Sequence, residues 1–129
     1  MSEEFRLIDQ PIIAFIGTSD AERAKQFYAG TLGLPLVSDE LPFALVFDAH
    51  GTMLRVTAVK EVKPAGYTVL GWQVADIAAA AKALTAAGVQ FARYDGMGQD
   101  ELGVWSSPGG AKVAWFHDPD GNTLSISQH

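Results

Sequence analysis

The stretch that decides the fold is Phe116-His117-Asp118-Pro119-Asp120-Gly121-Asn122-Thr123-Leu124-Ser125-Ile126. It predicts a strand, a tight turn and a second strand, because proline presets one φ angle and glycine and asparagine tolerate positive φ. After the turn, Leu124 and Ile126 alternate with polar residues, a period of two that is typical of a strand with one buried face. Alone this is a hairpin, but it ends a chain that contains an internal repeat.

The repeat is visible in the signals that start and stop two helices. The first helix begins at a capping box, Ser19–Glu22, and ends at Gly33, whereas the second begins at Asp76 and ends at Gly88. Each helix follows an apolar strand and precedes further strands. Because the start and stop signals recur at nearly the same separation, the sequence predicts two similar units in tandem.

The remaining segments fill in these two units. We predict helices over 19–32 and 77–87, and strands over 12–16, 34–37, 43–48, 52–59, 67–74, 89–94, 102–106, 112–117 and 123–127. Residues 1–10 are expected to form an N-terminal arm, and 11–129 a single domain of two modules, 11–60 and 67–127. Residues 60–66 form a linker, and the glycine-containing loop 95–101 is a possible lid. We expect the helices to cover the outer faces of the strands, while the inner faces meet each other, or a partner chain, around a cleft.

Charge and composition exclude several kinds of partner. The net charge of −6 argues against nucleic acid and against anionic membrane surfaces. The absence of cysteine excludes disulfides and thiol catalysis. The chain has no apolar run of transmembrane length and begins without the pattern of a signal peptide, so we expect a cytoplasmic protein.

Three motifs, taken in order, resemble the vicinal oxygen chelate superfamily, which includes glyoxalase I, extradiol dioxygenases, and bleomycin- and fosfomycin-resistance proteins. They are Ser19–Tyr28 with Leu32-Gly33-Leu34, then Val74-Ala75-Asp76-Ile77, then Phe116–Asn122, and the resemblance covers about residues 11–127. It implies an α+β fold in which two βαβββ modules form a cleft-enclosing, barrel-like mixed sheet with helices on the outside.

The resemblance also implies where a metal would be bound. Enzymes of the superfamily usually hold one divalent metal through His, Gln or Glu side chains from the first and last strands of each module. The matching places here are Ile13, Arg55, Val69 and Ser125. Isoleucine and valine have no donor atom, arginine is a fixed cation, and a lone serine is a poor ligand. We therefore expect no divalent metal and predict no other cofactor.

Strand alternation identifies the side chains that share a face with these places. They are Ile13, Phe15, Met53, Arg55, Thr57, Val69, Gln73, Thr123, Ser125 and Ser127. The candidate ligand-binding residues are Phe15, Met53, Arg55, Gln73, Trp105, Trp115 and Ser125. Arg55 could receive an anionic or carbonyl oxygen, or could pair with a local carboxylate. Trp105 and Trp115 could join Phe43 and Phe47 in an aromatic wall or could be plain core, whereas Trp72, out of phase, is expected in the core.

The histidines and acids near the turns offer no clear catalytic group. His50 and His117 could act as general acids or bases, or could simply be exposed turn residues. Asp118 and Asp120 are most simply turn-formers that cap backbone amides. We therefore assign no catalytic residue.

Three functions remain open at this stage. The first is a metal-free module that sequesters a small organic molecule, as bleomycin-resistance proteins bind their drug. The second is a lyase, isomerase or oxygenase with a non-standard site that uses Arg55, His117 or a displaced metal. The third is a structural or regulatory protein whose cleft is filled by its own side chains. A homodimer is expected in each case, because proteins that the chain resembles often pair.

Overall fold

A computed structural model describes residues 4–129. Its elements are β1 (Ile13–Thr18), α1 (Ala21–Lys25) with a π-helical segment (Gln26–Thr31), β2 (Leu36–Glu40), β3 (Ala44–Ala49), β4 (Thr52–Ala58), β5 (Leu70–Gln73), α2 (Ile77–Ala86), β6 (Trp105–Ser106), β7 (Lys112–His117) and β8 (Thr123–Gln128). Within the predicted arm, Leu7–Asp9 form a short 3₁₀ turn, and residues 1–3 lie outside the described part. None of the helices in the described part is long and apolar enough to cross a membrane.

The strands form two four-stranded sheets with the same internal order. The first sheet runs β1-β4-β3-β2 and the second runs β5-β8-β7-β6. In each, the first and last strands of the module are parallel neighbours, and the other pairs are antiparallel. The predicted α+β fold of two βαβββ modules is confirmed. The sheets are not closed into a barrel, because β1 and β5 each have a hydrogen-bonded partner on one side only.

Both helices begin at an aspartate and end at a glycine. The Asp20 carboxylate accepts from the Arg23 N–H at 3.2 Å, and the Asp76 carboxylate accepts from the Ala79 N–H at 3.1 Å. The glycines that follow the helices, Gly33 and Gly88, have φ of 74° and 104°, a region that favours glycine. The predicted capping box is wrong in one respect, because Asp20 rather than Ser19 is the cap.

The apolar faces of both sheets and both helices share one core. Leu54 and Val56 of β4 are buried in alternation, as the sequence phase predicted. Leu124 and Ile126 of β8 are buried as predicted, but Thr123 and Ser125 between and before them are buried too, at 9% and 7% exposure. The modules meet through aromatic rings, since Phe116 of β7 contacts Phe27 of the first module at a centroid distance of 6.5 Å. Phe116 also stacks on Trp72 of its own module at the same centroid distance of 6.5 Å. Trp72 thus packs against the core as expected.

The predicted strand 89–94 is wrong. These residues form no strand, although the Ala92 N–H donates to the Trp115 carbonyl at 2.7 Å. Their other hydrogen-bonding groups are taken locally, because the Gln99 side chain accepts from the Tyr94 N–H and donates to the Ala92 carbonyl. The predicted strand 102–106 shortens to the two residues of β6.

Candidate functional site

Each sheet has a second face that points away from the shared core, and we call it the open face. On the first sheet the open face carries Ile13 and Phe15 of β1 beside Met53 and Arg55 of β4. Phe15 is 64% exposed in the middle of its strand. These residues of β1 and β4 are the ones that strand alternation predicted for this face.

The open face of the second sheet is more polar. The register places Trp115 opposite Ser125 and His117 opposite Thr123, with Gly71 of β5 beside Ser125. Gln73 lies exposed at the end of β5. A Cβ on Gly71 would approach the Ser125 hydroxyl to 2.9 Å, so the absence of a side chain there makes room for that hydroxyl.

The places implied for a metal do not provide a ligand set. Ile13 and Val69 are partly exposed apolar side chains on or beside the first strand of each module. Arg55 is a cation, and Ser125 offers one hydroxyl. No three His, Asp or Glu side chains within residues 4–129 are grouped so that they could hold a metal ion. The residues present therefore do not fit the divalent metal that enzymes of the resembling superfamily use.

Arg55 forms an ion pair on the open face. Its guanidinium donates to the Glu40 carboxylate at 3.2 Å, and the two side chains are 27% and 45% exposed. Of the two interpretations of Arg55, the local salt bridge is the one that this structure contains. The guanidinium has five N–H donors, so the pair leaves donors for a ligand oxygen.

An aromatic wall exists on the second sheet, with a different membership from the one predicted. Trp105 and Trp115 lie 5.9 Å apart between ring centroids, and Tyr94 meets Trp115 edge to face at 5.7 Å. Phe43 is 73% exposed in the turn between β2 and β3, and Phe47 is fully buried against Tyr28. Neither phenylalanine joins the wall, and Tyr94 was missed because it precedes a loop whose path sequence patterns do not reveal.

A cavity of about 480 Å³ lies at one end of the second open face. The residues that contribute its main side chains are Tyr67, Tyr94, Met97, Trp115, His117 and Thr123. The linker residues 64–66, Thr68 and Gly121 complete its rim. The cavity thus joins the aromatic wall to the turn between β7 and β8.

The loop that contributes Tyr94 and Met97 is braced by its own side chains. Gln99 accepts from the Tyr94 N–H at 2.7 Å and donates to the Ala92 and Gly103 carbonyls at 2.9 Å each. Arg93 donates to the carbonyls of residues 100 and 101. The possible lid of the sequence analysis is therefore a loop with many internal hydrogen bonds in this structure.

The turn between β7 and β8 connects the two modules through Asp118. This residue is only 6% exposed, and its carboxylate accepts four hydrogen bonds. The donors are the Tyr28 hydroxyl at 2.7 Å, the Asn122 side chain at 2.8 Å, and the Asp120 and Asn122 N–H groups at 2.9 Å each. Burial, the nearby charge of Asp118 and the hydrogen bond to it raise the pKa of Tyr28, so its hydroxyl stays protonated and donates.

Asp120 connects the same turn to the end of β1. Its carboxylate accepts from the Ser19 N–H and hydroxyl at 2.8 and 2.6 Å, and from the Thr18 hydroxyl at 2.6 Å. Burial alone would raise the pKa of Asp120, but these hydrogen bonds, with the charge of Arg23, lower it below its ordinary range. Asp118 and Asp120 are therefore turn-formers, as predicted, and also join the two modules.

We expect this junction to give the protein a dependence of stability on acidity. Because the folded-state pKa of Asp120 is lowered, its contribution to the free energy of unfolding is present above about pH 4, the ordinary carboxylate pKa. That contribution is lost as the pH falls through the folded-state value. Urea unfolding at a series of pH values should show this loss, and Asp120→Asn should reduce its slope. The matched control is Asp48→Asn, since Asp48 caps Gly51 within the corresponding turn of the first module. An unchanged slope in Asp120→Asn would contradict the assignment.

Paired βαβββ modules, each with a helix on one face of its sheet and an open face opposite, define the vicinal oxygen chelate class of fold. The chain belongs to the Glyoxalase/Bleomycin resistance protein/Dioxygenase superfamily, because the model of that family matches residues 11–126. The resemblance found in the sequence motifs is thereby confirmed. No curated protein matches the chain by sequence.

Solved structures agree with this assignment. A superfamily member from Sphaerobacter thermophilus is 29% identical, with a TM-score of 0.73 over 96% of this chain and 100% of that one. A lactoylglutathione lyase from Agrobacterium tumefaciens is 16% identical, with a TM-score of 0.70 over 92% and 93% of the two chains. A glyoxalase-related enzyme from Fulvimarina pelagi is 22% identical, with a TM-score of 0.70 over 94% and 88%. The last two likenesses show the fold alone.

Proposed function

We propose that the protein is a metal-free small-molecule-binding protein of the glyoxalase/bleomycin-resistance type, which holds an organic ligand against the open faces of its modules. The observation that carries this proposal is the donor set at the implied metal places, where Ile13, Arg55, Val69 and Ser125 stand. Two of these side chains have no donor atom, and the third is a cation paired with Glu40. Superfamily membership supports ligand binding, and the side chains favour binding without a metal.

The cavity on the second sheet supports the same proposal. Its volume of about 480 Å³ is within the range of small-molecule sites, and it combines aromatic walls with a few polar groups. A protein whose open faces were filled by its own side chains would not present such a space. The third hypothesis of the sequence analysis is therefore less well supported than the first.

We also propose that two copies of the chain complete the binding cleft. The open faces point away from the core that the modules share, so one chain does not bring them together. The first open face exposes Ile13, Phe15 and Met53 as a contiguous apolar group, which a monomer rarely leaves uncovered. In this arrangement the first open face of one copy faces the second open face of its partner, and the ligand lies between them.

The enzyme alternative lacks a supporting arrangement of groups. A lyase, isomerase or oxygenase with a non-standard site would need an acid or base held by a second side chain. Within residues 4–129, the one side-chain hydrogen bond made by a histidine joins His129 to Ser127 at 3.1 Å. His117 borders the cavity but is exposed at the end of β7. A cytoplasmic location stays a prediction from the sequence.

Metal analysis of the purified protein tests the proposal directly. We expect substoichiometric metal and no change in melting temperature on adding nickel, zinc, manganese or iron(II), or on adding a chelator. A metal that bound the folded state at 100 times its Kd would add about 2.7 kcal/mol to the free energy of unfolding, which is readily measured. One tightly held metal per chain, with loss of stability on chelation, would overturn the proposal and favour the enzyme.

A further inference from the structure

We infer that the cavity between the linker and the aromatic wall is a subsite for an uncharged, planar aromatic ring that carries one hydrogen-bonding oxygen. The inference rests on the proposed function, because it specifies the ligand of the same open face. Phenols and aromatic ketones are the chemical classes that this description covers. Four features of the cavity support the inference: its aromatic walls, its polar group, its lack of charged side chains and its rigidity.

The walls of the cavity are aromatic and are already oriented. The rings of Tyr94 and Trp115 pack edge to face, with an angle of 82° between their planes. Tyr67 is 71% exposed on the linker side, so its ring is open to a ligand. Met97 adds a flexible, polarisable side chain that adapts to a ring of variable outline. Together these groups favour a flat apolar ligand that stacks against Trp115.

Thr123 provides a polar group aimed into this apolar space. The residue is only 9% exposed and lines the cavity, yet its hydroxyl makes no side-chain hydrogen bond within the part of the chain that the structure describes. No fully enclosed side-chain polar atom in that part lacks a partner, so the Thr123 hydroxyl is not fully enclosed, and the cavity is the space that this residue lines. A ligand oxygen would give it a partner, and His117, opposite Thr123 in the β7–β8 register, lines the same cavity.

The cavity offers no fixed charge to a ligand. Among the residues that line it in residues 4–129, none is Asp, Glu, Lys or Arg. A charged group would therefore lose hydration without gaining a partner of opposite charge, whereas a neutral ring would not. Arg55 and Glu40 lie on the first open face and neutralise each other in an ion pair, so neither provides an unpaired charge for the ligand.

The subsite is held in shape before a ligand arrives. Gln99 fixes the backbone of the loop that carries Tyr94 and Met97. On the other side, the linker packs so closely on the β7–β8 turn that a Cβ on Gly121 would come within 3.2 Å of the Pro64 side chain. A preformed site needs little ordering on binding, which favours affinity for a rigid ligand.

Three probes test the aromatic ring and the oxygen of the ligand separately. They are 2-naphthol, which has both, naphthalene, which lacks the oxygen, and decahydro-2-naphthol, which lacks the aromatic ring. Titration calorimetry, with quenching of tryptophan fluorescence, should show the tightest binding for 2-naphthol. We expect Trp115→Leu to weaken 2-naphthol binding roughly tenfold and to abolish the preference over the saturated alcohol. Thr123→Val should weaken 2-naphthol binding several-fold and leave naphthalene unchanged, because only the first ligand has an oxygen for the hydroxyl.

Control variants show whether a change in affinity comes from the cavity itself. Phe43→Leu removes an exposed aromatic ring that does not line the cavity, and it should change nothing. If Trp115→Leu does not fold, Tyr67→Leu replaces an exposed ring of the cavity and should lower the affinity for 2-naphthol and naphthalene alike. Equal affinity of the wild type and of the Trp115→Leu, Thr123→Val and Tyr67→Leu variants, or no binding of either aromatic probe up to its solubility limit, would overturn the inference. Neither outcome touches the proposed metal-free function, which fails only if a stoichiometric metal is found.

Discussion

Replacement of Asp118 by alanine is expected to lower the free energy of unfolding by about 3–5 kcal/mol, the largest effect we predict for a single side chain outside the apolar core. The variant removes the acceptor of four hydrogen bonds and leaves the Tyr28 hydroxyl and the Asn122 side chain without it. Two backbone N–H groups lose the same partner. Each buried group left unpaired costs about 1–3 kcal/mol, and water that enters the site relieves part of the sum.

The measurement is denaturant unfolding of Asp118→Ala beside Asp48→Ala. Asp48 also caps a turn, with its carboxylate accepting from the Gly51 N–H at 2.8 Å, but it is exposed and stays within its own module. We expect Asp48→Ala to cost about 1 kcal/mol or less. Equal losses in the two variants would show that Asp118 is only a turn residue. If Asp118→Ala does not fold, Tyr28→Phe, which removes one donor, should still cost about 1–2 kcal/mol.

The junction shows which features of this fold were readable from the sequence. Helix caps and strand alternation depend on neighbours a few positions apart, and they predicted Asp76, Gly33 and the burial of Leu124 and Ile126 correctly. The bonds from Ser19 to Asp120 and from Tyr28 to Asp118 span 101 and 90 positions. No local pattern encodes such pairs, so Ser19 was taken for a helix cap.

Less of the candidate site could be predicted from the sequence, because contacts between distant residues also position its side chains. The alternation of β4 placed Arg55 on the open face correctly. The alternation of β8 predicted the burial of Leu124 and Ile126, but it did not predict that Thr123 and Ser125 are buried as well. The position of Tyr94 depends on a loop whose path is set by three hydrogen bonds of the Gln99 side chain, and the predicted strand over 89–94 failed for the same reason. Phe47 was a candidate for the aromatic wall, but the whole of Ala44–Phe47 is buried, so β3 offers no alternation to indicate which face it occupies.

The turn that joins the modules also supports the cavity. His117 and Thr123 flank the Asp-Pro-Asp-Gly turn on either strand, and Gly121 within it packs against the linker. The hydrogen bonds of Asp118 and Asp120 thus fix the end of the second sheet where the proposed ligand binds. A variant that loosens the turn should therefore lower ligand affinity as well as stability, whereas Asp48→Ala should cost little stability and leave ligand affinity unchanged.

Replacement of Phe15 by lysine is expected to convert the proposed dimer into a monomer. Phe15 lies 64% exposed on the first open face, between Ile13 on its own strand and Arg55 on β4, and no part of its own core covers it. In a dimer this ring would be buried, and buried aromatic side chains at the centre of an interface commonly contribute 2 kcal/mol or more to association. A lysine there would also bring an unpaired charge into the interface, so we expect the dissociation constant to rise roughly a hundredfold or more.

Analytical ultracentrifugation over a range of concentrations would measure this change. Wild-type protein should sediment with twice the mass of the chain, Phe15→Lys with the mass of one chain, and Phe43→Lys like wild type. Phe43 makes a matched control because it is a phenylalanine of similar exposure that lies in the turn between β2 and β3 and not on β1 or β4. Because Phe15 is exposed within the chain, its replacement should leave the melting temperature of the monomer nearly unchanged. A monomeric wild type would mean that each chain binds its ligand on a single open face, and the cavity beside Trp115 would then be the whole site. A Phe15→Lys variant that still forms dimers would show that the first open face is not the dimer interface.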